Sequence, residues 1–173
     1  IDLFLEACLR VVKVHKTAQF VIIGDPQNAE EAMEASIQRL AAEPSLKGRV
    51  HLLPGQRNVP AWMLRFDFLV SPSRWEVGSP LVPMEAMALG IPVLATDTSS
   101  GELITDGKDG LIVPTGDIPA LADGMLRLLK DPKLAARLGA AGRRTVDKGN
   151  SLERYAQDVM AAYDEVLTDR AAG

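Results

Sequence analysis

Apolar residues recur at two different periods along this chain, and the alternation between the periods predicts its architecture. Over residues 2–15, Leu3, Leu5, Ala7, Cys8, Val11, Val12 and Val14 fall mostly three and four apart, the spacing of a helix whose apolar stripe is wide enough to lie on a sheet. Asp2 stands at its start as an N-cap or first-turn acid. Phe20-Val21-Ile22-Ile23 is a continuous apolar run ended by Gly24-Asp25-Pro26, the pattern of a buried strand followed by a tight turn in which Asp25 serves its own backbone. Residues 29–42 are rich in Ala, Glu, Met and Gln and predict a second helix, stopped by Pro44. Residues 49–53 predict a second strand, and the polar loop Pro54-Gly55-Gln56-Arg57-Asn58 follows it at the same sheet edge as the Asp25 turn. Residues 59–64 form a short helix with Pro60 near its start.

Further along, residues 66–70 predict a strand interrupted near its start by Asp67, and residues 91–97 predict another. Residues 98–101 make a polar turn before a short helix carrying Glu102. Asp106-Gly107-Lys108-Asp109-Gly110 is a tight turn, and Leu111-Ile112-Val113 is the last strand. The tail is helical over about 117–130, 132–145 and 152–167, each with a periodic apolar stripe. Five strands alternating with helices imply parallel pairing through right-handed crossovers, hence a Rossmann-like three-layer α/β/α domain spanning residues 1–173. There is no internal repeat or interdomain linker. The chain opens without Met and directly in helical pattern, so a fragment of something longer is expected.

Composition narrows the class. At 173 residues with 47% apolar content the chain can bury one substantial core. Net charge is −4, and the nineteen basic residues are spread rather than massed, which argues against a nucleic-acid groove. Cys8 is the single cysteine, excluding an internal disulfide and a cysteine-rich zinc site. No apolar run approaches the roughly 20 residues of a membrane span, and no signal peptide opens the sequence. Cytoplasmic residence fits these features. His51 alternates with apolar neighbours as a strand histidine, and His15 stands at a helix end where a positive charge is favourable.

The chemistry concentrates in residues 71–93, where a strand end, a Gly- and Pro-bearing loop and a helix start follow one another. Open α/β sheets hold ligands at that place. The amides of Gly78, Ser79, Leu81 and Val82 can face an anion at the positive end of the helix dipole. Pro80 and Pro83 donate nothing, and their fixed φ stiffens a first turn whose amides have no intrahelical partner. Glu85, one turn inside the helix, can accept two hydroxyl hydrogens, as from a ribose. Glu76 lies nine residues earlier, so the two carboxylates converge only because Gly78 to Pro80 break the path. A helix-cap glutamate and a solvated loop glutamate are the structural alternatives.

The succession of Asp67-Phe68-Leu69-Val70-Ser71-Pro72-Ser73, then Glu76 to Glu85-Ala86-Met87-Ala88-Leu89-Gly90-Ile91-Pro92-Val93-Leu94-Ala95-Thr96-Asp97, then Glu102-Leu103-Ile104 and Asp109-Gly110-Leu111-Ile112-Val113-Pro114 resembles the nucleotide-sugar-binding C-terminal half of retaining GT-B glycosyltransferases of family 4. The resemblance covers nearly the whole chain. It implies that Glu85 binds the nucleotide ribose, that the backbone of Gly78, Ser79, Leu81 and Val82 holds the donor diphosphate, that Glu76 lies near the donor sugar as the catalytic-site glutamate, and that Gln56 and Arg57 lie against the base. The family usually has seven residues between its two glutamates, whereas here there are eight; either the loop carries one extra residue or Val77 takes the acid position. The family's phosphate-binding Arg and Lys precede the helix with which this chain begins, as do the acceptor-binding N-terminal domain and the first strand of this domain.

The resemblance further implies transfer of a sugar from a nucleoside-diphosphate donor to a carbohydrate, lipid or small-molecule acceptor hydroxyl, with retention at the anomeric carbon. No Asp-x-Asp occurs, in keeping with a site that needs no metal and no cofactor beyond the donor itself. Peripheral membrane contact of the complete enzyme is compatible with this reading. Alone, the chain is expected to bind nucleotide weakly and turn nothing over, as a binding module. A GT-B-shaped sugar epimerase is the enzymatic alternative. A dinucleotide-dependent dehydrogenase fits less well, because Gly24-Asp25-Pro26 is not followed by the glycines of that signature. A flavodoxin-type regulatory domain lacks an acidic cluster beside Asp25 or Asp97.

Overall fold

The computed structural model describes residues 1–24, 31–75, 80–149 and 152–172. Helix α1 (Asp2–Val14) carries Asp2 in its first turn and Lys13 in its last, both placed to favour the helix dipole. Its Leu3, Leu5, Ala7, Cys8, Val11 and Val12 are buried. His15 caps its C-terminus, its amide bonding the Val11 carbonyl at 2.8 Å. Strand β1 (Phe20–Ile23) follows, then α2 (Glu31–Ala41), β2 (Val50–Leu53) and α3 (Val59–Met63). The side chain of Asn58 caps α3 by accepting from the Ala61 amide at 3.2 Å.

The second half of the sheet is built from β3 (Leu69–Ser71), α4 (Leu81–Ala88), β4 (Val93–Thr96), α5 (Asp97–Ser100) and β5 (Leu111–Val113). Helices α6 (Ile118–Lys130), α7 (Pro132–Gly149) and α8 (Leu152–Ala172) complete the chain. All strand pairings between these elements are parallel. β1 pairs with β2 from Phe20↔Val50 to Ile23↔Leu53. β4 lies between β3, with Leu69 opposite Val93, and β5, with Leu94 opposite Leu111. The strands therefore form a two-stranded sheet, β1-β2, and a three-stranded sheet, β3-β4-β5. The five expected strands and their parallel sense are present, but not as one continuous ladder.

Two boundaries differ from the sequence pattern. The strand expected over 66–70 begins at Leu69, because the amides of Arg65 and Phe66 still close helical turns onto Trp62 and Met63 at 2.9 Å each. The first ladder bond is Leu69 N–H to the Pro92 carbonyl at 2.9 Å. The short helix expected to carry Glu102 lies earlier, over Asp97–Ser100, and Glu102 follows it, exposed. Asp97 starts that turn by accepting from the amide of Thr98 at 2.8 Å, the local side-chain bonding that favours Asp at helix starts.

The core has a main cluster on each face of the sheet. Leu94, Leu111 and Val113 pack with α1 and α6 through residues such as Val11, Leu121 and Met125. Val93 and Ala95 pack on the other face with Met63, Ala86, Met87 and Val146. Burying one such leucine stabilises the fold by about 1.5–3 kcal/mol. Close approach of α7 to the turn after α4 depends on glycine: a Cβ on Gly139 would meet the Gly90 carbonyl oxygen at 2.1 Å. Gly90 itself turns the chain into β4 with φ of 76°, a conformation that costs side-chain-bearing residues. The buried carboxylate of Asp109 fixes the tight turn before β5, accepting from the Thr105 amide at 2.7 Å and the Thr145 hydroxyl at 2.8 Å.

The tail departs from expectation in one respect. Much of the described apolar surface of α8 is open: Tyr155, Met160, Tyr163 and Leu167 are all more than half exposed. No helix among the described residues is long and apolar enough to cross a membrane.

Candidate functional site

Because β3, β4 and β5 are parallel, the chain leaves β3 and β4 at the same edge of their sheet. Helix α4 starts at that edge. Its N-cap is Pro80, with extended φ and ψ of −75° and 94° and no side-chain cap. The first intrahelical bond from this turn is Met84 N–H to the Pro80 carbonyl at 3.1 Å. Pro83 has no amide hydrogen, so the free donors of the first turn are Leu81 and Val82. Their apolar side chains are 68% and 50% exposed. Two uncapped amides at the positive end of a helix, with no carboxylate in the first turn, can face an anion.

Glu85 stands one turn further along α4 and is exposed. No described residue bonds its carboxylate. Its neighbours Ala86 and Met87 are fully buried, which fixes the helix and leaves Glu85 on its solvent side. The structure thus brings together three of the residues singled out in the sequence, Leu81, Val82 and Glu85. Glu76, Gly78 and Ser79, along with Val77 and the Asp25 turn, lie outside the described residues.

The chain leaving β3 toward that loop is held at its root. The Thr96 hydroxyl donates to the Ser73 carbonyl at 2.6 Å, and the Thr98 hydroxyl to the Arg74 carbonyl at 3.0 Å. Thr98 in turn meets the hydroxyl of Thr115, which donates to Asp97. Asp97 also accepts the amides of Thr98 and Thr115 at 2.8 and 3.0 Å. The Thr115 hydroxyl and these amides hold its carboxyl below the ordinary aspartate range. Beneath them the hydroxyls of Ser71 and Ser99 share a buried bond of 2.8 Å. This cluster had no single signal in the sequence, since its members come from three separate loops. The Asp-Thr pair just past a strand end is the one local hint.

Arg74 reaches α1 and donates to Asp2 at 2.6 Å. Burial works against ionisation of Asp2, but the bond from Arg74, backbone donation and nearby positive charge outweigh it and lower the carboxyl's pKa. Gln56 and Arg57 lie in the loop that follows β2. Gln56 folds back to donate to its own Pro54 carbonyl at 2.8 Å, and Arg57 is exposed. The structure does not join either to the start of α4. His51 is exposed in β2 and bonds Gln19 at 2.9 Å. Cys8 is fully buried in the core, and burial pushes its thiol up, far from nucleophilic use.

Comparison with known proteins places the chain in a family. The family model of the group 1 glycosyl transferases matches residues 1–131. A lipopolysaccharide core biosynthesis mannosyltransferase of Rhizobium meliloti is 31% identical over 170 residues, 96% of this chain and 48% of the relative. The chain therefore spans about half the length of that curated relative. A TarM variant from S. aureus, solved in complex with fondaparinux, α-GlcNAc-glycerol and UDP, superposes with a TM-score of 0.76 at 27% identity, over 91% of this chain and 32% of that one. HepE of Anabaena, solved with UDP-glucose, has a TM-score of 0.83 at 18% identity over 94% of this chain and 44% of that one, a likeness of fold. With a parallel α/β architecture shared with GT-B glycosyltransferases and the match over most of its length, the chain belongs to the group 1 glycosyltransferase family.

Proposed function

We propose that this chain is the donor-binding domain of a retaining glycosyltransferase that moves a hexosyl group from a nucleoside-diphosphate sugar to an acceptor hydroxyl. The observation that carries the reading is the start of α4, where the free amides of Leu81 and Val82 open at the strand-end edge with the exposed carboxylate of Glu85, unpartnered among the described residues, one turn behind them. The amides, with those of Gly78 and Ser79, take the diphosphate; Glu85, set back from it, accepts the ribose hydroxyls. Glu76, or Val77 in its place, lies by the donor sugar, and Gln56 and Arg57 lie toward the base. UDP in the complex of the TarM relative supports a nucleoside diphosphate as donor.

In the reaction the bond between the anomeric carbon and the diphosphate oxygen breaks. The electron pair leaves with the nucleoside diphosphate. The acceptor oxygen bonds the anomeric carbon, and its proton passes to the departing diphosphate oxygen. Helix-end amides stabilise the charge that develops on the leaving diphosphate, the kind of electrostatic assistance that usually contributes most to catalysis. This scheme requires no metal. The acceptor, carbohydrate, lipid or small molecule, is contributed through the part of the protein beyond this chain, which alone binds nucleotide weakly and does not turn over. Calorimetry with uridine, guanosine and adenosine diphosphates tests the reading: heat with at least one is expected, and none with any at millimolar concentration would overturn it.

A further inference from the structure

The basic residues, spread along the sequence, do not all stay spread in the fold. Lys108, Arg137, Arg144 and Lys148 line one groove of about 460 Å³. Lys108 comes from the tight turn before β5, and the other three from one face of α7, since residues seven and eleven places apart on a helix fall within about 20° of one another. The Arg137 guanidinium donates to the Gly107 carbonyl at 3.1 Å, which ties the helix to the turn. Among the described residues none of these four cations is ion-paired, whereas Arg143, on the neighbouring face of the same helix, pairs with Asp147 at 3.7 Å. The carboxylate in the lining, Asp109, is buried, with one oxygen taken by the Thr105 amide and the other by the Thr145 hydroxyl. The groove therefore keeps a surplus of three positive charges, in a chain whose net charge is −4. Like charges held together repel, and a counter-ion relieves that repulsion.

We propose that this groove binds a small anion bearing two or more phosphoryl groups, at a site separate from the start of α4. A phosphoryl group carries a charge of about −1.5 to −2 near neutral pH, so two of them match the surplus. The planar fork of arginine suits their oxygens. The volume lies within the range of about 300–1,000 Å³ that small-molecule pockets occupy. The lining comes from two elements, and its largest apolar residue is Ala141, so nothing in it can insert into a lipid surface. The turn enters β5 at the edge where the strands of its sheet begin, while α4 starts beyond the edge where β3 ends. The groove and the start of α4 thus lie toward opposite edges of that sheet and share no lining residue. A ligand that bridges Lys108 and α7 clamps the turn before β5 to the helix, so its binding raises the melting temperature.

Amide chemical shifts of the isotopically labelled 173-residue chain test this, with inorganic diphosphate and triphosphate titrated at physiological ionic strength, where diffuse attraction is screened. Saturable shifts at Lys108, Asp109, Arg144 and Lys148 are expected, with inorganic monophosphate binding more weakly than either. Arg144→Gln and Lys148→Gln, both at exposed positions, should each raise the diphosphate dissociation constant about tenfold or more. Arg143→Gln removes the same charge from the neighbouring face and should leave that constant unchanged. Shifts that do not saturate, or equal losses in Arg143→Gln and Arg144→Gln, would reduce the groove to diffuse surface charge and overturn the proposal. So would binding to phosphatidylglycerol vesicles that is lost in Arg144→Gln, with no saturable response to diphosphate or triphosphate, which would put a lipid surface there instead. Shifts of Leu81 and Val82 report the start of α4 separately, so this assignment and the donor-binding reading can each fail alone.

Discussion

Strands β1 and β4 are each four residues long and free of charged side chains, yet they end in different environments. Val93, Leu94 and Ala95 of β4 are completely buried, whereas in β1 Phe20 is buried and Val21, Ile22 and Ile23 are only partly covered. The difference lies in the neighbours: β4 has a strand on each side and a core cluster on each face, and β1 has one strand and an open groove. An apolar run tells that a strand should be buried on both faces, but not whether the partners that bury it are present.

The largest expected effect that sharpens this contrast is Leu94→Ala. It removes a fully buried side chain packed against α6, where Gly124 would bring a Cβ to within 2.9 Å of the leucine. Chemical denaturation should show a loss of about 2–5 kcal/mol. Ile22→Ala in β1 should cost under about 2 kcal/mol, because the removed atoms already meet solvent on one side. Equal losses at the two sites would break the comparison. Next is Gly139→Ala, whose added carbon would collide with backbone at Gly90; separation of α7 from the turn into β4 should cost about 1–3 kcal/mol in the same measurement.

A smaller effect on binding, with no loss of fold, is expected of Glu85→Gln, because Glu85 is exposed on a well-packed helix. In the complete enzyme a charged hydrogen bond of about 1.5–3 kcal/mol is weakened, so the donor's dissociation constant should rise roughly tenfold to a hundredfold by calorimetry. Unchanged affinity would remove Glu85 from the ribose role.

The smallest effect is a pH dependence. Asp97 has a folded-state pKa held below the ordinary value of 3.8, chiefly by the Thr115 hydroxyl. Its contribution is therefore present above that value and lost as pH falls through the lower, folded-state one. Asp97→Asn should flatten the acid limb of the stability curve below about pH 3.8. An unchanged limb, followed by circular dichroism, would mean that the cluster does not hold the root of the loop in this way.

Much of the fold was legible because its signals are local. The stripe of α1, the apolar runs of β1, β4 and β5, and the Gly107 turn before β5 all appear where periodicity and turn chemistry put them. The start of β3 was misplaced because Phe66 and Phe68 look like strand residues, while the amide of Phe66 is already committed to the end of α3. The division of the sheet was not legible at all, since pairing is a property of the partner strand. For the candidate site, the exposed position of Glu85 and the uncapped start of α4 follow from the prolines and from helix phase. The Asp97, Thr98 and Thr115 cluster does not, because residues 18 positions apart meet only through the crossover between β4 and β5.

The central claim, that α4 and Glu85 hold a nucleoside diphosphate, is tested most directly by amide chemical shifts of the isotopically labelled chain titrated with uridine, guanosine and adenosine diphosphates. The account predicts saturable shifts centred on Leu81, Val82 and Glu85 with at least one of the three, reduced in Glu85→Gln. Saturable shifts that leave the first turn of α4 untouched and gather elsewhere, for example at the basic face of α7 around Arg137, Arg144 and Lys148, would contradict it.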